Sequence, residues 1–220
     1  MNLNKKIFAE FFGTAGLLIV IVGSGIMGET LSQGNLAIAL LANSLATGAG
    51  LYVLIQTFSS VSGAHFNPVV SLVEYLRKKI SFKTLSIYAF FQVLGAITGV
   101  VFTHIIFGQK ILQLSQHDRG EFRFAVSEVI ATLGLITVIL LSEKKDKKSV
   151  PMVVALYITA AYWCTSSTSF ANPAVTIARS LTDTFSGILW TGVPWFIFAQ
   201  VVGGFLGFLF SNFLIKEIKD

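Results

Sequence analysis

The sequence predicts an all-α membrane protein with six transmembrane helices plus two re-entrant half-helices, built as an inverted three-span repeat. Three observations carry this expectation. Of the 220 residues, 54% are hydrophobic and only 12% charged, and the mean hydropathy is +0.75, a balance foreign to an ordinary soluble domain. The apolar residues fall into six runs near the length of a membrane span. Two Asn-Pro pairs, at 67–68 and 172–173, break the chain at matching places in two related halves.

The runs lie at about 7–27, 35–58, 84–107, 122–142, 150–166 and 189–215. A helix needs about 20 apolar residues to cross the hydrocarbon, so the fifth run is short. The first run follows Lys5 and Lys6 as a signal peptide would. It is long for such a segment, contains Glu10 and lacks a small-x-small cleavage site, so it reads as a retained span. The single Cys164 excludes an internal disulfide and a cysteine metal cluster, and His104 and His117 have no ligand partner at usable spacing. No metal and no cofactor are expected.

The net charge of +5 does not point to nucleic acid, because the basic residues are spread by loop and form no aromatic-interleaved patch. Twelve of the sixteen fall on one side: Lys5, Lys6, Arg77, Lys78, Lys79, Lys83, Lys144, Lys145, Lys147, Lys148, Lys216 and Lys219. Lys110, Arg119, Arg123 and Arg179 fall on the other. The positive-inside rule then places both termini in the cytoplasm.

Sliding the chain by 105 residues brings 50–72 onto 155–177 without a gap, pairing Leu51 with Leu156, Tyr52 with Tyr157, Asn67 with Asn172 and Pro68 with Pro173. An offset of 108 pairs Gln92 with Gln200, Gly95 with Gly203 and Gly99 with Gly207. A single membrane domain over 1–220 therefore divides into repeats of about 1–109 and 120–220. Each holds three spans, and three is odd, so the second repeat enters from the opposite side of the membrane.

Each Asn-Pro pair suits the start of a short helix at membrane depth. Asn is a good N-cap, and Pro at the first helical position has the right φ and no N–H to leave unpaired. The bodies expected are 69–76 and 174–181, too short to span. Two such N-termini meeting at the midplane would concentrate positive potential there and repel cations. Asn67 and Asn172 can cap with the side-chain oxygen and still present amide donors to a solute. Gly63, Ala64 and His65, and Thr168, Ser169 and Phe170, would run extended and offer carbonyls along the approach. Donors at the centre and acceptors along the way suit a small neutral hydroxylated solute.

These residues resemble the aquaporin and aquaglyceroporin (major intrinsic protein) family. The resemblance rests on "SGAHFNPVVSL", "SFANPAV", "AEFFGT" at 9–14, its echo "SEVIAT" at 127–132, and the doubled glycine pairs. It spans essentially the whole chain and implies an aquaporin-like fold in the cell membrane, here a bacterial inner membrane. One pore per subunit and a homotetramer go with it, passing water and small uncharged solutes down their gradients. It also implies that Glu10 and Glu128 brace the re-entrant backbone, and that the pore motifs are Asn67, Pro68, Val69 and Asn172, Pro173, Ala174. Gly95, Gly99, Gly203 and Gly207 read as helix-packing positions.

One position departs from the pattern. Most relatives carry Arg directly after the second motif, and here it is Val175. Family spacing places the other filter positions at Thr47, Ala160 and Ser169, all small, which implies a wider and less polar filter than a strict water channel has. A similar valine occurs in some arsenic-associated bacterial relatives, so glycerol and neutral metalloid acids such as arsenous acid are the expected solutes. Arg179 either restores a charge nearer the outer mouth or pairs with Asp183 at i+4, the second being preferred. Two rivals remain: an ion-coupled secondary transporter, which also uses inverted repeats, and an anion or weak-acid channel, because positive helix ends also attract anions. No nucleophile with an adjacent base appears in the spans, so an enzyme is not expected.

Overall fold

The computed structural model describes residues 2–217, with side chains through 216; Lys219, counted above among the inner basic residues, lies outside the described residues. Six long helices and two half-helices follow one another: α1 Leu3–Leu31, α2 Leu36–Phe58, α3 Pro68–Leu76 and α4 Phe82–Ile106, then α5 Phe122–Lys145, α6 Val150–Cys164, α7 Pro173–Arg179 and α8 Val193–Glu217. Single 3₁₀ turns precede α6 and α8.

Side-chain caps start four of the first five long and short helices. Asn2, Asn35, Asn67 and Ser81 each accept a hydrogen bond from a backbone N–H of the helix that follows, satisfying donors that have no intrahelical partner. Five helices, α1, α2, α4, α5 and α8, are long and apolar enough to cross a membrane. At 15 residues α6 falls below that length, in line with the shortness of the fifth run. The second half-helix ends at Arg179, two residues short of the expected 181.

Within each half the first and last long helices pack most closely, α1 on α4 and α5 on α8. Glycines permit this approach. A Cβ on Gly95 would strike the Phe11 carbonyl and one on Gly99 the Ala15 carbonyl; Gly203 and Gly207 meet the Val129 and Leu133 carbonyls in the same way. Small residues at such crossings let backbones come within van der Waals reach in lipid, where no hydrophobic force drives helices together.

The two halves are not in the ungapped register. Leu51 is 8% exposed and Leu156, its partner at offset 105, is 61% exposed. The connections to the two asparagines differ, residues 59–66 in the first half against 165–171 in the second. The inward faces of α2 and α6 are displaced by two residues, which on an α-helix is a rotation of about 200°.

Candidate functional site

The N-termini of α3 and α7 meet in the interior through their asparagines. Asn67 Oδ1 caps α3 by accepting from Val69 N at 2.8 Å, and its Nδ2 donates to the Ala171 carbonyl at 2.7 Å. Asn172 mirrors it: Oδ1 accepts from Ala174 N at 3.0 Å, and Nδ2 donates to the Phe66 carbonyl at 2.8 Å. Pro68 and Pro173 open the two helices. One hydrogen of each amide is thus spent across the junction, and the second remains for a solute. Each helix end brings about half a positive charge to this point.

Two buried glutamates hold the segments that lead to the asparagines. Glu10 accepts from His65 N at 3.0 Å and Phe66 N at 2.7 Å, and also from Ser62 Oγ and Gln92 Nε2. Glu128 accepts from Phe170 N at 2.9 Å, Ala171 N at 2.8 Å and Gln200 Nε2 at 2.6 Å. Gln92 and Gln200 then reach Ser71 and Thr176 on the half-helices. Sequence reasoning aligned the two glutamines by the repeat but assigned them no role, and it passed over Ser71 and Thr176.

With their N–H groups tethered, these segments turn their carbonyls elsewhere. Among the described residues, no carbonyl of Gly63, Ala64, His65, Thr168, Ser169 or Phe170 accepts a protein hydrogen bond. The backbone reaches this arrangement through left-handed residues, Ala64 at φ +52° and Phe66 at +49°, then Thr168 at +62°, Ser169 at +50° and Ala171 at +47°. Each costs on the order of 1–3 kcal/mol and persists only where surrounding contacts over-determine it. The glutamate anchors supply that constraint.

A cavity runs past this junction. Aliphatic side chains line it at spacings of four: Leu17 and Ile21 on α1, Leu51 and Ile55 on α2, Leu135 and Ile139 on α5, and Val150, Val154 and Ile158 on α6. The two connecting segments add polar groups at 63–67 and 169–172. Gly63, Ala64, His65, Ser169 and Phe170 border it, whereas Thr168 does not. Of the motif residues after the prolines, Val69 and Ala174 are buried behind the lumen, Val69 close against Gly204, and Val70 and Val175 border the space. His65 Nδ1 lies 3.0 Å from Ser71 Oγ, with the ring edge-on to Tyr88.

Of the four expected filter positions, Thr47, Ser169 and Val175 border the cavity. Ala160 does not; it is exposed on the outer face of α6. The two-residue displacement of α6 explains this correction, since it turns Ile158 and Tyr162 inward instead. Tyr162 Oη donates to Thr47 Oγ1 at 3.3 Å, joining α6 to α2.

Arg179 also contradicts its preferred reading. It is 2% exposed and borders the cavity, Nε donates to the Ser186 carbonyl, and the guanidinium lies 3.4 Å from the Phe170 ring centroid. Asp183 is exposed and accepts from Gln116 N at 2.8 Å. Because α7 stops at Arg179, residue 183 is not one turn further along the same helical face. Arg119 reaches the same ring from the 107–121 connection, at 5.3 Å, while donating to the Gly187 and Ser167 carbonyls. Burial pushes the Arg119 guanidinium below its usual range, partly offset by Glu128 and Tyr162. No signal in the sequence singles out Arg119; a lone loop arginine looks like any solvated charge.

The comparisons agree with this geometry. The family model described as Major intrinsic protein matches residues 1–169. A relative described as Aquaglyceroporin AqpS, from Rhizobium meliloti (strain 1021), is 42% identical over 99% of this chain and 93% of its own length. The lens fiber major intrinsic protein of Rattus norvegicus is 28% identical over 96% of this chain and 81% of its own. The X-ray structure of the aquaglyceroporin from Plasmodium falciparum superposes with a TM-score of 0.77, covering 99% of this chain and 98% of that one at 22% identity, a likeness of fold. Matched by the family model over most of its length and by a relative over nearly all of it, the chain belongs to the major intrinsic protein family, as a multi-pass membrane channel and not an enzyme.

Proposed function

We propose that this channel passes neutral solutes larger than water, glycerol and undissociated metalloid acids such as arsenous acid, together with water. The observation that carries the reading is the two-sided lining: an aliphatic wall from α1, α2, α5 and α6, and a track of amides and carbonyls at 63–67 and 169–172. A polyol has the same division, with C–H groups on one side and hydroxyls on the other. Carbonyls without protein partners would accept from its hydroxyls, and the spare amide hydrogens of Asn67 and Asn172 would donate to its oxygens. Valine at 175, where most members of the family carry Arg, leaves room and adds to the apolar side.

The filter of this reading is Thr47, Tyr162, Ser169 and Val175, with Tyr162 in place of Ala160. The chain acts as a single channel unit of two inverted repeats, about 1–109 and 120–220, as a homotetramer in a bacterial inner membrane with both termini cytoplasmic. That orientation follows from the basic residues at 77–83 and 144–148.

Stopped-flow light scattering of proteoliposomes in glycerol and arsenous acid gradients tests the reading. Flux of both solutes above empty vesicles is expected, and water flux alone overturns it. Val175→Arg should cut glycerol flux by about tenfold relative to water, equivalent to a barrier rise near 1.4 kcal/mol.

A further inference from the structure

Arg179 is a buried charge with no counter-ion among the described residues. A guanidinium taken out of water is strongly unfavourable unless it is paired. Among the described residues, Arg179 is in none of the ion pairs. Glu128 is committed to Phe170 N, Ala171 N and Gln200 Nε2. Among the described residues only the Nε of Arg179 has a protein partner, the Ser186 carbonyl, and the side chain borders the cavity. Its terminal nitrogens are therefore available to whatever fills that space.

Arg119 repeats the pattern from the connecting segment. Among the described residues it too is outside the ion pairs, and it bears on the ring of Phe170, whose face attracts cations. Its bonds to the Ser167 and Gly187 carbonyls tie it to the loops on either side of α7. Two positive charges thus converge on a single aromatic ring at one end of the lumen. Ser169 Oγ, on the residue before that ring, is buried and has no partner among the described residues.

We propose that Arg179, positioned by Ser186 and Phe170 and backed by Arg119, is the charged specificity group of this pore, excluding cations and orienting uncharged oxygen-bearing solutes. The proposal rests on the neutral-solute reading above. In this arrangement the terminal Nη donors and Ser169 Oγ hold the oxygens of a polyol or a neutral oxyacid. Val175, one turn earlier on α7, takes the C–H side. Charge and width are thereby separated along the helix: the charge lies at 179 and the width is set at 175, where a single Arg would set both. Arg119 is a positioning residue, adding to the potential without bordering the lumen.

Full-length protein in proteoliposomes tests this as wild type, Arg179→Lys, Arg179→Met and Arg119→Met. Water and glycerol flux are read by light scattering, and sodium and proton leak under an imposed potential by internal dyes. Wild-type vesicles should leak cations no faster than empty ones. Arg179→Met should raise the leak on the order of tenfold, as expected for removing one charge from a partly desolvated lumen. Arg119→Met should raise it less. Arg179→Lys should keep the exclusion but lower glycerol flux relative to water, because a single ammonium replaces the planar fork of donors.

Water flux in Arg179→Met shows an open pore; if that variant does not insert, Arg179→Lys and Arg119→Met decide. A water-conducting Arg179→Met that leaks no more than wild type overturns the proposal, as does a wild-type chloride current abolished in Arg179→Met, which would make the ligand an anion. Wild type passing water but no glycerol overturns the solute reading instead, and the cation leak of Arg179→Met still decides the charge assignment.

Discussion

Asn67 and Asn172 each donate a side-chain hydrogen bond to the carbonyl of the residue preceding the other. The first donates to the Ala171 carbonyl 104 residues ahead, the second to the Phe66 carbonyl 106 residues behind. Each asparagine therefore caps its own half-helix and clamps the other's lead-in segment. Replacing either by Ala should cost more than an ordinary cap, about 2–4 kcal/mol, since it adds a stranded buried carbonyl to the lost capping bond. Thermal unfolding in detergent measures this. Asn172→Asp keeps the cap but loses the donor, and should be less stable than wild type while bringing cation leak to the junction.

Glu10 and Glu128 each accept two consecutive backbone N–H groups of a lead-in segment, and both are 0% exposed. Glu128→Gln turns one acceptor oxygen into a donor facing an N–H. A destabilisation of about 3–5 kcal/mol is expected, the scale for breaking a buried charged network. Loss of water flux at equal protein incorporation is the readout, and Glu10→Gln should behave alike.

The inward phase of α6 can be checked directly. Ile158→Trp should block water and glycerol flux, because the side chain borders the cavity. Ala160→Leu should leave both fluxes at wild-type values, because it lies on the exposed face. The opposite pattern would restore the ungapped register of the two halves.

Gly95→Ala and Gly203→Ala should each lower the unfolding temperature in detergent. The added methyl meets a backbone carbonyl of the facing helix, which cannot rotate away as a side chain would. Overpacking of this kind costs about 1–3 kcal/mol. Gly34, where an added Cβ meets nothing within 4 Å, serves as the control for space, although its φ of +86° makes a substitution there locally strained.

Much of the junction was legible because its signals are local. An Asn-Pro pair before a short apolar body specifies a cap and a first turn within four residues, and its recurrence at one offset marks the repeat. An acid within a span demands partners wherever the chain later places them, and Glu10 and Glu128 find theirs in the lead-in segments. The α6 filter position was misread because family spacing counted back from Asn172 fixes a distance along the chain and not the phase in which α6 meets the lumen. The inward face of α6 carries Ile158 and Tyr162, and Ala160 lies on the exposed face.

By itself the sequence determined the membrane class, the six apolar runs, the two breaks and the residues that cap the half-helices. Each depends on composition or on contacts within a turn or two of chain. Tertiary structure alone decided which side of α6 faces the lumen and where the charge of Arg179 goes. The first is a matter of phase, and two residues of displacement turn a helix about 200°. The second follows from where α7 ends: one turn short of Asp183, the guanidinium swings onto Phe170 and meets Arg119 from a loop sixty residues away in sequence.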